Sequence, residues 1–528
     1  MELLGTSLIG GGRGASEGGE MTAMNPATGK ALGPSYFTAS KAEIDKAVAL
    51  AKAAAVPYGR LSGKERAVFL RAIGEEIEAL GDGLMERVMA ETALPEPRVR
   101  AEAARTAGQM RLFAEMIEEG SWVRARIDHG DASREPLPKP DMRSMLRPLG
   151  PVVVFGASNF PLALSTAGGD TASALAAGNP VIVKAHPAHP GTAEMMGHAV
   201  RAAVEKCGIP DGVFSLLFGL GNHLGELLVQ HPDVKAVGFT GSLKGGRALM
   251  DLAAARPEPI PFFAEMGSIN PVFILPGALA ERGEAIAAGL QGAVNLGVGQ
   301  FCTNPGMVVL DAESDGSEMV ERLARLMADS PTAAMLTEGI REAYRAGVAS
   351  VRGTEGIRVL AGSGGADGEG FVAEPVLFEI SGEGFLANPD LRNEVFGPST
   401  IVVKPSGKEE ALAIARSMEG NLTATVHGTE ADFAANGELL EVLAGKVGRL
   451  VFNGYPVGVE AGHATVHGGP YPASADGQST SIGSMSIFRF ARPVAWQDAP
   501  ESVLPDELKE ANPLGISRIV DGKLEVES

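Results

Sequence analysis

The stretch PVVVFGA, residues 151–157, and the stretch NPVIVKA, residues 179–185, decide the fold of this chain. Both runs are short, apolar and rich in β-branched residues, as strands buried on two faces are. An alanine- and glycine-rich helix is predicted between them, over residues 165–177. The alternation continues with strands over 214–219 and 235–242 and helices over 191–206 and 224–230. Strand, helix, strand at this spacing predicts βαβ units and a doubly wound parallel sheet.

Ligands of such open sheets bind at the carboxyl ends of the strands. Those ends fall at residues 156–159, 184–186 and 240–242. Any site of this chain is therefore expected to use Asn159, Lys184 or Ser242 or their neighbours.

Two other kinds of pattern flank this region. On the N-terminal side, NPATGK (residues 25–30) predicts a turn, and a helix over 41–55 is expected to begin after Ser40 and to end at Pro57. Residues 121–150 predict a protruding hairpin or arm. On the C-terminal side, strands and helices form a second α/β unit. The predicted strands of this unit are residues 271–275, 306–310, 401–405 and 449–454, and its predicted helices are 317–328 and 340–349.

Near the C-terminus the run SMSIFRFARPV, residues 484–494, alternates in polarity and predicts a strand that pairs with another strand, of this chain or of a second subunit. The predicted division is 1–121 (cofactor-binding domain, N-terminal part), 122–148 (oligomerisation arm), 149–262 (cofactor-binding domain, βαβ part), 263–470 (catalytic domain) and 471–528 (oligomerisation strand and tail).

The composition excludes several classes of function. The net charge is 45 − 65 = −20, which argues against a nucleic-acid or anionic-membrane surface. Neither a signal peptide nor an apolar run of membrane-spanning length is recognisable, so a cytoplasmic protein is expected. Two cysteines cannot build a disulfide framework, and no metal site is predicted. His463 and His467 have i, i+4 spacing, but the glycines around them argue against a helical zinc site.

Three side chains are candidates for catalysis, and each could instead have a purely structural role. Cys302 lies in GQFCTN (residues 299–304), an irregular loop that suits a nucleophile, although a free cysteine is more often a small buried apolar residue. Asn159 is either an oxyanion donor or a turn residue. Glu265 lies in an apolar run, which predicts a raised pKa and a general base, or else a carboxylate paired with a buried donor.

Six motifs resemble those of a known enzyme family, and this resemblance favours the catalytic roles over the structural ones. ASNFP, VKAHP, FTGS, AEMGSINP, GQFCTN and NEVFGP occur in the order and spacing of the aldehyde dehydrogenase superfamily, from about residue 25 to residue 496. The ending GGPYPAS…SIFRFARPVAWQ is most similar to the branch that contains 2-oxoglutarate semialdehyde (2,5-dioxovalerate) dehydrogenases. The resemblance implies an α/β fold with a doubly wound parallel-sheet cofactor domain, an α/β catalytic domain and a small β oligomerisation arm.

The same resemblance implies roles for individual residues. Cys302 is the nucleophile, Asn159 stabilises the oxyanion, and Glu265 activates the water that hydrolyses the thioester. The residues implied to bind NADP or NAD are Lys184, His186, Thr240, Gly241, Ser242, Gly246, Glu394 and Phe396. Pro187 stands where NAD-preferring members often carry a glutamate for the 2′-hydroxyl, so NADP is expected to be favoured.

The expected substrate is an oxo-acid semialdehyde, 2-oxoglutarate semialdehyde first, and the alternative is an aliphatic, fatty or other semialdehyde. Succinic semialdehyde enzymes often place an arginine where this chain has Ala167. A distal carboxylate then needs another partner, and Arg105, Gln109 and Arg111 are candidates, with Phe160 also expected in the substrate site.

Other functions remain open at this point. A cysteine hydrolase would need a histidine beside Cys302 and no cofactor. A non-catalytic dinucleotide-binding scaffold would lack Cys302 or Glu265, and both are present. A phosphorylating dehydrogenase would transfer the acyl group to an acceptor other than water. Glu265 argues against this class, because it is expected to activate water. A homodimer or homotetramer is predicted from the arm and the C-terminal strand.

Overall fold

The structure is a computed structural model that describes residues 1–310, 316–366 and 368–526. Within these ranges the strands form two seven-stranded sheets, one five-stranded sheet and two separate strand pairs. No helix in the described ranges has the length and apolar character that crossing a membrane requires. Six short 3₁₀ segments occur in these ranges, at Ser121–Val123, Leu296–Gly299, Pro389–Arg392, Ser484–Phe490, Glu501–Val503 and Asp506–Leu508.

The N-terminal part is a hairpin followed by four long helices. Its elements are β1 (Leu8–Ile9), β2 (Gly12–Arg13), β3 (Glu20–Asn25), β4 (Lys30–Phe37), α1 (Lys41–Gly59), α2 (Gly63–Ala79), α3 (Gly81–Thr92), α4 (Glu96–Glu119), β5 (Arg126–Asp128) and β6 (Met142–Pro148). The predicted turn between β3 and β4 is confirmed, and so is the Ser40 cap, which forms a capping box with Glu43. The predicted end of α1 at Pro57 is wrong, because Pro57 lies in the last turn and the helix continues to Gly59. A proline so near the end removes only one backbone hydrogen bond.

The first seven-stranded sheet is built from the predicted βαβ units. Its further elements are β7 (Val152–Phe155), α5 (Gly169–Ala176), β8 (Val181–Lys184), α6 (Pro190–Lys206), β9 (Phe214–Leu217), α7 (His223–Gln230), β10 (Ala236–Thr240), α8 (Leu243–Ala254) and β11 (Phe262–Glu265). The strand order is β11-β10-β7-β8-β9-β1-β2, and neighbours from β11 to β9 are parallel. The order therefore reverses around β7, which is where such sheets bind ligands.

Two details of this region differ from the sequence prediction. Helix α5 begins at Gly169 rather than at residue 165. Glu102 of α4 accepts hydrogen bonds from the backbone N–H groups of Leu162 and Ala163, at 2.9 and 3.0 Å, and these hold the preceding segment in turns. The first sheet also continues through Glu265, so the predicted boundary between residues 262 and 263 cuts strand β11.

The second seven-stranded sheet follows in the chain. Its elements, with a short strand pair, are β12 (Val272–Ile274), α9 (Pro276–Asn295), β13 (Met307–Leu310), α10 (Ser317–Ala328), β14 (Ala333–Ala334), α11 (Glu338–Arg352), β15 (Arg358–Ala361), β16 (Val372–Ala373), β17 (Val376–Ser381), α12 (Gly382–Ala387), β18 (Ser399–Lys404), α13 (Lys408–Ser417), β19 (Asn421–His427), α14 (Glu430–Ala435), α15 (Gly437–Ala444) and β20 (Val447–Phe452). The order is β15-β17-β18-β13-β12-β19-β20, parallel except for β15. The predicted strands and helices of this unit are confirmed.

The five-stranded sheet joins the arm to the C-terminal residues. It adds β21 (Ala491–Gln497), β22 (Arg518–Val520) and β23 (Lys523–Glu525), in the order β21-β6-β5-β22-β23. The strand predicted over residues 484–494 begins only at Ala491, because Ser484–Phe490 is a 3₁₀ helix that buries Ile487 and Phe490 in the core under the first sheet. Strand β21 pairs with β6 of the same chain. Residues 527 and 528 of the predicted tail lie outside the described residues.

Candidate active site

A cavity of about 780 Å³ lies where the carboxyl ends of the first sheet's strands meet loops that lead into the second sheet's strands. It brings together predicted site residues from six separate parts of the chain, namely Asn159, His186, Thr240, Gly241, Ser242, Glu265, Cys302, Glu394 and Phe396. A cleft of this size at the topological switch point of a parallel sheet is the expected position of a small-molecule site.

The loop that carries Cys302 is held in one conformation from both sides. It runs between the 3₁₀ segment Leu296–Gly299 and β13. Gly299 has φ +64°, and a Cβ there would lie 2.2 Å from the backbone carbon of Gly397, so only glycine fits. The Asn270 side chain donates from Nδ2 to the carbonyl of Cys302 at 2.9 Å. The nucleophile is therefore placed by packing rather than left on a free loop.

Glu265 lies at the end of β11, fully buried beside Cys302 and two further side chains. His467 Nε2 lies 3.1 Å from Glu265 Oε1 and 3.5 Å from Cys302 Sγ, and Ser481 Oγ donates to Glu265 Oε2 at 2.6 Å. Burial raises the pKa of Glu265, but the attraction of His467 and the hydrogen bonds that Glu265 shares with His467 and Ser481 outweigh it and lower the pKa to about 2. The raised pKa predicted from the apolar sequence around Glu265 is wrong, because its polar partners come from remote segments.

The thiol of Cys302 experiences the opposite effect. Burial and the neighbouring Glu265 carboxylate raise its pKa well above the usual range. The three donor atoms of Cys302, Glu265 and His467 lie within 4.8 Å of one another. We interpret the group as proton-transfer machinery rather than a metal site, since an ion bound there would cover the sulfur.

Asn159 follows β7 and lines the same cavity as Cys302. Its Nδ2 donates to the carbonyl of Gln300 at 2.9 Å, which joins the two loops. Arg98 of α4 donates to the Asn159 carbonyl at 2.7 Å and stacks on the rings of Phe160 and Phe301. An amide nitrogen fixed beside the nucleophile suits the predicted oxyanion role, which the second Nδ2 hydrogen could fill.

The end of the cavity on the side of the first sheet carries the residues predicted to hold a dinucleotide. Thr240, Gly241 and Ser242 lie between β10 and α8, and the Ser242 hydroxyl caps α8 by accepting from Gly245 N–H at 3.2 Å. The free N–H groups of such a helix start suit a pyrophosphate. Gly246, in the first turn of α8, is buried, and a Cβ there would lie 2.7 Å from the sulfur of Met266.

Lys184 is the last residue of β8, and His186 follows that strand. Burial lowers the pKa of Lys184 to about 8. Burial also lowers the pKa of His186 well below its usual range, with His189 stacked against it, so His186 is neutral at pH 7. His186 and Pro187 line the cavity.

Glu394 and Phe396 enter the cavity from the segment after α12. The Glu394 side chain is half-buried in the cavity wall, and loss of solvent around its carboxyl raises the pKa to about 8. A Cβ on Gly267 would lie 2.8 Å from Glu394 Oε2, so this glycine leaves room for the carboxyl. A buried carboxyl group that faces a cavity can accept hydrogen bonds from sugar hydroxyls, which fits the predicted ribose contact.

The predicted substrate residues separate into two groups. Arg105 lines a small pocket together with Cys302, Phe160, Phe301 and His467. Its guanidinium lies 5.7 Å from the centre of the Phe160 ring, and its buried Nε and Nη2 atoms have no hydrogen-bond partner among the described residues.

The other two candidates lie elsewhere. Gln109 is buried and donates from Nε2 to the Ala163 carbonyl at 3.3 Å, so it holds the loop after β7. Arg111 lies on the outer side of α4, where it forms an ion pair with Glu78. Spacing along α4 placed Arg105 and Gln109 on one face, but only Arg105 reaches the pocket.

Four site residues were missed from the sequence: His467, Ser481, Asn270 and Arg98. The sequence suggested His467 only as part of a helical zinc pair. Asn270 lies within the motif AEMGSINP, but no role was predicted for it. His467 and Ser481 lie 202 and 216 residues from Glu265, so no local pattern could have paired them. The histidine beside Cys302 that a cysteine hydrolase would need is present.

Comparisons with known proteins bear on the choice between a cysteine hydrolase and a dehydrogenase. Residues 14–482 match the sequence model of the aldehyde dehydrogenase family. The chain is 49% identical over 526 residues to alpha-ketoglutaric semialdehyde dehydrogenase 2 of Azospirillum brasilense, covering 99% of this chain and 100% of the relative. It is 42% identical to alpha-ketoglutaric semialdehyde dehydrogenase of Acinetobacter baylyi, covering 98% of both.

Solved structures show the same fold. A 1-pyrroline-5-carboxylate dehydrogenase from Thermus with bound NAD is 21% identical, with a TM-score of 0.79 over 93% of this chain and 92% of that chain. An NAD-dependent aldehyde dehydrogenase from Sinorhizobium meliloti is 23% identical, with a TM-score of 0.79 over 93% of this chain and 94% of that chain.

Proposed function

The chain belongs to the aldehyde dehydrogenase family, and we propose that its substrate is 2-oxoglutarate semialdehyde, which it oxidises to 2-oxoglutarate with NADP or NAD. Two relatives that match nearly the whole chain carry that activity in their names, which supports the substrate. The observation that carries the proposal is the half-buried guanidinium of Arg105, whose buried Nε and Nη2 atoms have no partner among the described residues, in a pocket that Cys302 also lines. It offers a cation to the distal carboxylate of an oxo acid.

In the proposed mechanism the sulfur of Cys302 attacks the aldehyde carbonyl and forms a thiohemiacetal. The Asn159 amide donates to the oxygen that becomes negative in this step. A bound nicotinamide supplies the hydride acceptor. Loss of hydride leaves a thioester on Cys302, and Glu265 takes a proton from the water that attacks this thioester. The carboxylate product leaves and the sulfur is released.

The substrate position follows from the two spaces that Cys302 lines. These are the larger cavity, which suits the cofactor, and the small pocket that contains Arg105. Burial lowers the pKa of Arg105, as expected of a cation without a bound anion. A planar guanidinium with free N–H groups matches a carboxylate in a two-point contact.

Removing the Arg105 cation is expected to weaken selectivity for the charged substrate. Arg105→Met should lower kcat/KM for 2-oxoglutarate semialdehyde by about 100-fold or more, because a buried charge pair loses one partner. Turnover of pentanal, a neutral aldehyde with the same number of carbons, should change by no more than about threefold. Arg111→Met is the matched control, since Arg111 lies on the same helix but outside the pocket.

The assay that tests the proposed function compares these two aldehydes on the unmodified chain. Reduced cofactor should form at least about 100-fold more efficiently from 2-oxoglutarate semialdehyde than from pentanal. A preference for pentanal or longer aliphatic aldehydes would contradict the proposed substrate and favour the aliphatic alternative. Product formation without cofactor would favour the hydrolase hypothesis.

A preference for NADP is part of the proposal. Lys244 and Arg392 are the lysine and arginine side chains among the described residues that line the larger cavity, and Lys244, like His186 and Pro187, follows a strand of the first sheet. No carboxylate occupies position 187, so nothing there repels the 2′-phosphate of NADP. Since His186 is neutral, Lys244 is the better candidate for a phosphate contact.

A carboxylate at position 187 is expected to reverse this preference. Pro187→Glu should lower kcat/KM with NADP by roughly 10- to 100-fold through charge repulsion, while kcat/KM with NAD is unchanged or higher. Pro187→Gln is the control, because it removes the proline without adding charge. Equal losses in the Glu and Gln variants would mean that the backbone, not the charge, is responsible.

A homodimer or a larger homo-oligomer is also part of the proposal. Strand β21 forms one edge of the five-stranded sheet and β20 forms one edge of the second sheet, where Phe452 is 48% exposed. Long free edges are surfaces on which another chain can add a strand. Light scattering should give a mass of at least twice the 54.5 kDa of one chain. A mass of one chain at micromolar concentration would contradict it.

A further inference from the structure

His467 lies at a point of contact between the nucleophile and the general base. It is completely buried, and its Nε2 is 3.5 Å from Cys302 Sγ and 3.1 Å from Glu265 Oε1. Its backbone N–H donates to Thr480 Oγ1 at 2.8 Å, which fixes its position. Nothing in the proposed mechanism above uses this imidazole.

The charges around the sulfur explain why it needs such a neighbour. Cys302 faces the carboxyl groups of Glu265 and Glu394, and the guanidinium groups of Arg105 and Arg449 act on it from farther away. Burial and Glu265 raise the pKa of the thiol, so an isolated thiolate is strongly disfavoured here. Of the two groups in contact with the thiol, Glu265 is an anion that opposes a thiolate, whereas His467 becomes a cation when it takes a proton.

We propose that His467 accepts the thiol proton of Cys302, so that the nucleophile is a thiolate held beside an imidazolium. The inference rests on the proposed function in taking Cys302 as the nucleophile. In the step, the S–H bond breaks and an Nε2–H bond forms, with Nδ1 already protonated. The electron pair stays on sulfur, and the new Nε2–H lies within reach of both the thiolate and Glu265 Oε1. No oxidant or other reactant is involved.

This assignment divides the chemistry between two residues. His467 prepares the sulfur for attack on the aldehyde, and Glu265 remains a carboxylate that is free to take a proton from the hydrolytic water. In the ion pair the imidazolium also faces the Glu265 carboxylate, and its attraction lowers the pKa of Glu265. A histidine that only packed in the core would have no such effect on the sulfur.

The test measures the reactivity of Cys302 with iodoacetamide across pH 5 to 10, in a full-length Cys207→Ala background so that one thiol remains. His467→Gln keeps an N–H donor but cannot take a proton, and His467→Leu keeps neither. Both variants are expected to raise the apparent pKa of alkylation by about 1–2 units and to slow alkylation at pH 7 by about 10- to 100-fold. No aldehyde is used, so a wrong substrate cannot produce this result.

Two results would overturn the proposal. If His467→Gln reacts like the unmodified chain, the imidazole is only a hydrogen-bond donor. If neither variant shifts the profile, His467 has no influence on the thiol. Cofactor binding and the thermal midpoint of each variant are measured beside the profile, and His467→Gln decides the outcome if His467→Leu is unstable.

Discussion

Cys302→Ala is expected to abolish aldehyde oxidation, with a loss in kcat of at least about four orders of magnitude. The reason is that no other group in the described part of the cavity can form the thioester through which the reaction proceeds. The fold should survive, because the side chain lies on a loop that is held by Asn270 and Gly299 rather than by the sulfur. Reduced cofactor is followed by absorbance, and cofactor binding is measured by fluorescence titration.

The control for this prediction is the second cysteine. Cys207→Ala alters a half-buried thiol at the end of α6, far along the chain from the cavity, and should leave kcat within about twofold. Full activity in Cys302→Ala would contradict the assignment of the nucleophile. Cofactor binding with no turnover of any aldehyde by the unmodified chain would instead revive the non-catalytic scaffold.

Much of the architecture was predictable because its signals are local. Strands such as β7 and β8 are continuous apolar runs, and the helices between them repeat apolar residues with helical spacing. The same reasoning placed Asn159 and Ser242 at the carboxyl ends of their strands. The fold needed no information from distant residues to be recognised as doubly wound.

The predictions were wrong where a residue far away in the sequence determines a helix boundary, a pKa or the surroundings of a side chain. The start of α5 depends on the carboxylate of Glu102, some sixty residues earlier in the chain. The pKa of Glu265 depends on His467 and Ser481, which the fold brings from the C-terminal region. Arg105 and Gln109 share a helical face, yet Arg105 lines a pocket with Cys302, whereas Gln109 donates a hydrogen bond to the Ala163 carbonyl. Each of these is a tertiary contact that periodicity cannot reveal.

The contact between Glu265 and His467 changes how the base is understood. An isolated buried carboxylate would be partly protonated near neutral pH, and its activity would rise with pH. With its pKa lowered to about 2, Glu265 is ionised throughout the pH range of an assay. The pH dependence of the first turnover should therefore reflect the Cys302–His467 pair rather than Glu265.

Glu265→Gln is expected to separate the two halves of the reaction. The acyl group should form on Cys302 and remain there, because the amide cannot take a proton from the attacking water. Rapid mixing should show a burst of about one reduced cofactor per active site. The steady rate that follows should be lower than in the unmodified chain by about two to four orders of magnitude. Mass spectrometry should detect the acyl group on Cys302.

The burst and the steady rate together distinguish the possible roles of Glu265. Glu379→Gln is the control, since Glu379 is also a buried glutamate but pairs with Arg358 and Lys404 on the second sheet. It should keep both phases. If Glu265→Gln loses the burst in proportion to the steady rate, the carboxylate is needed before acylation and His467 is not the sole proton acceptor for the thiol. If the steady rate is unchanged, another group activates the water. A preserved burst with a slow second phase places Glu265 after the thioester, where its permanent charge can act only as a base.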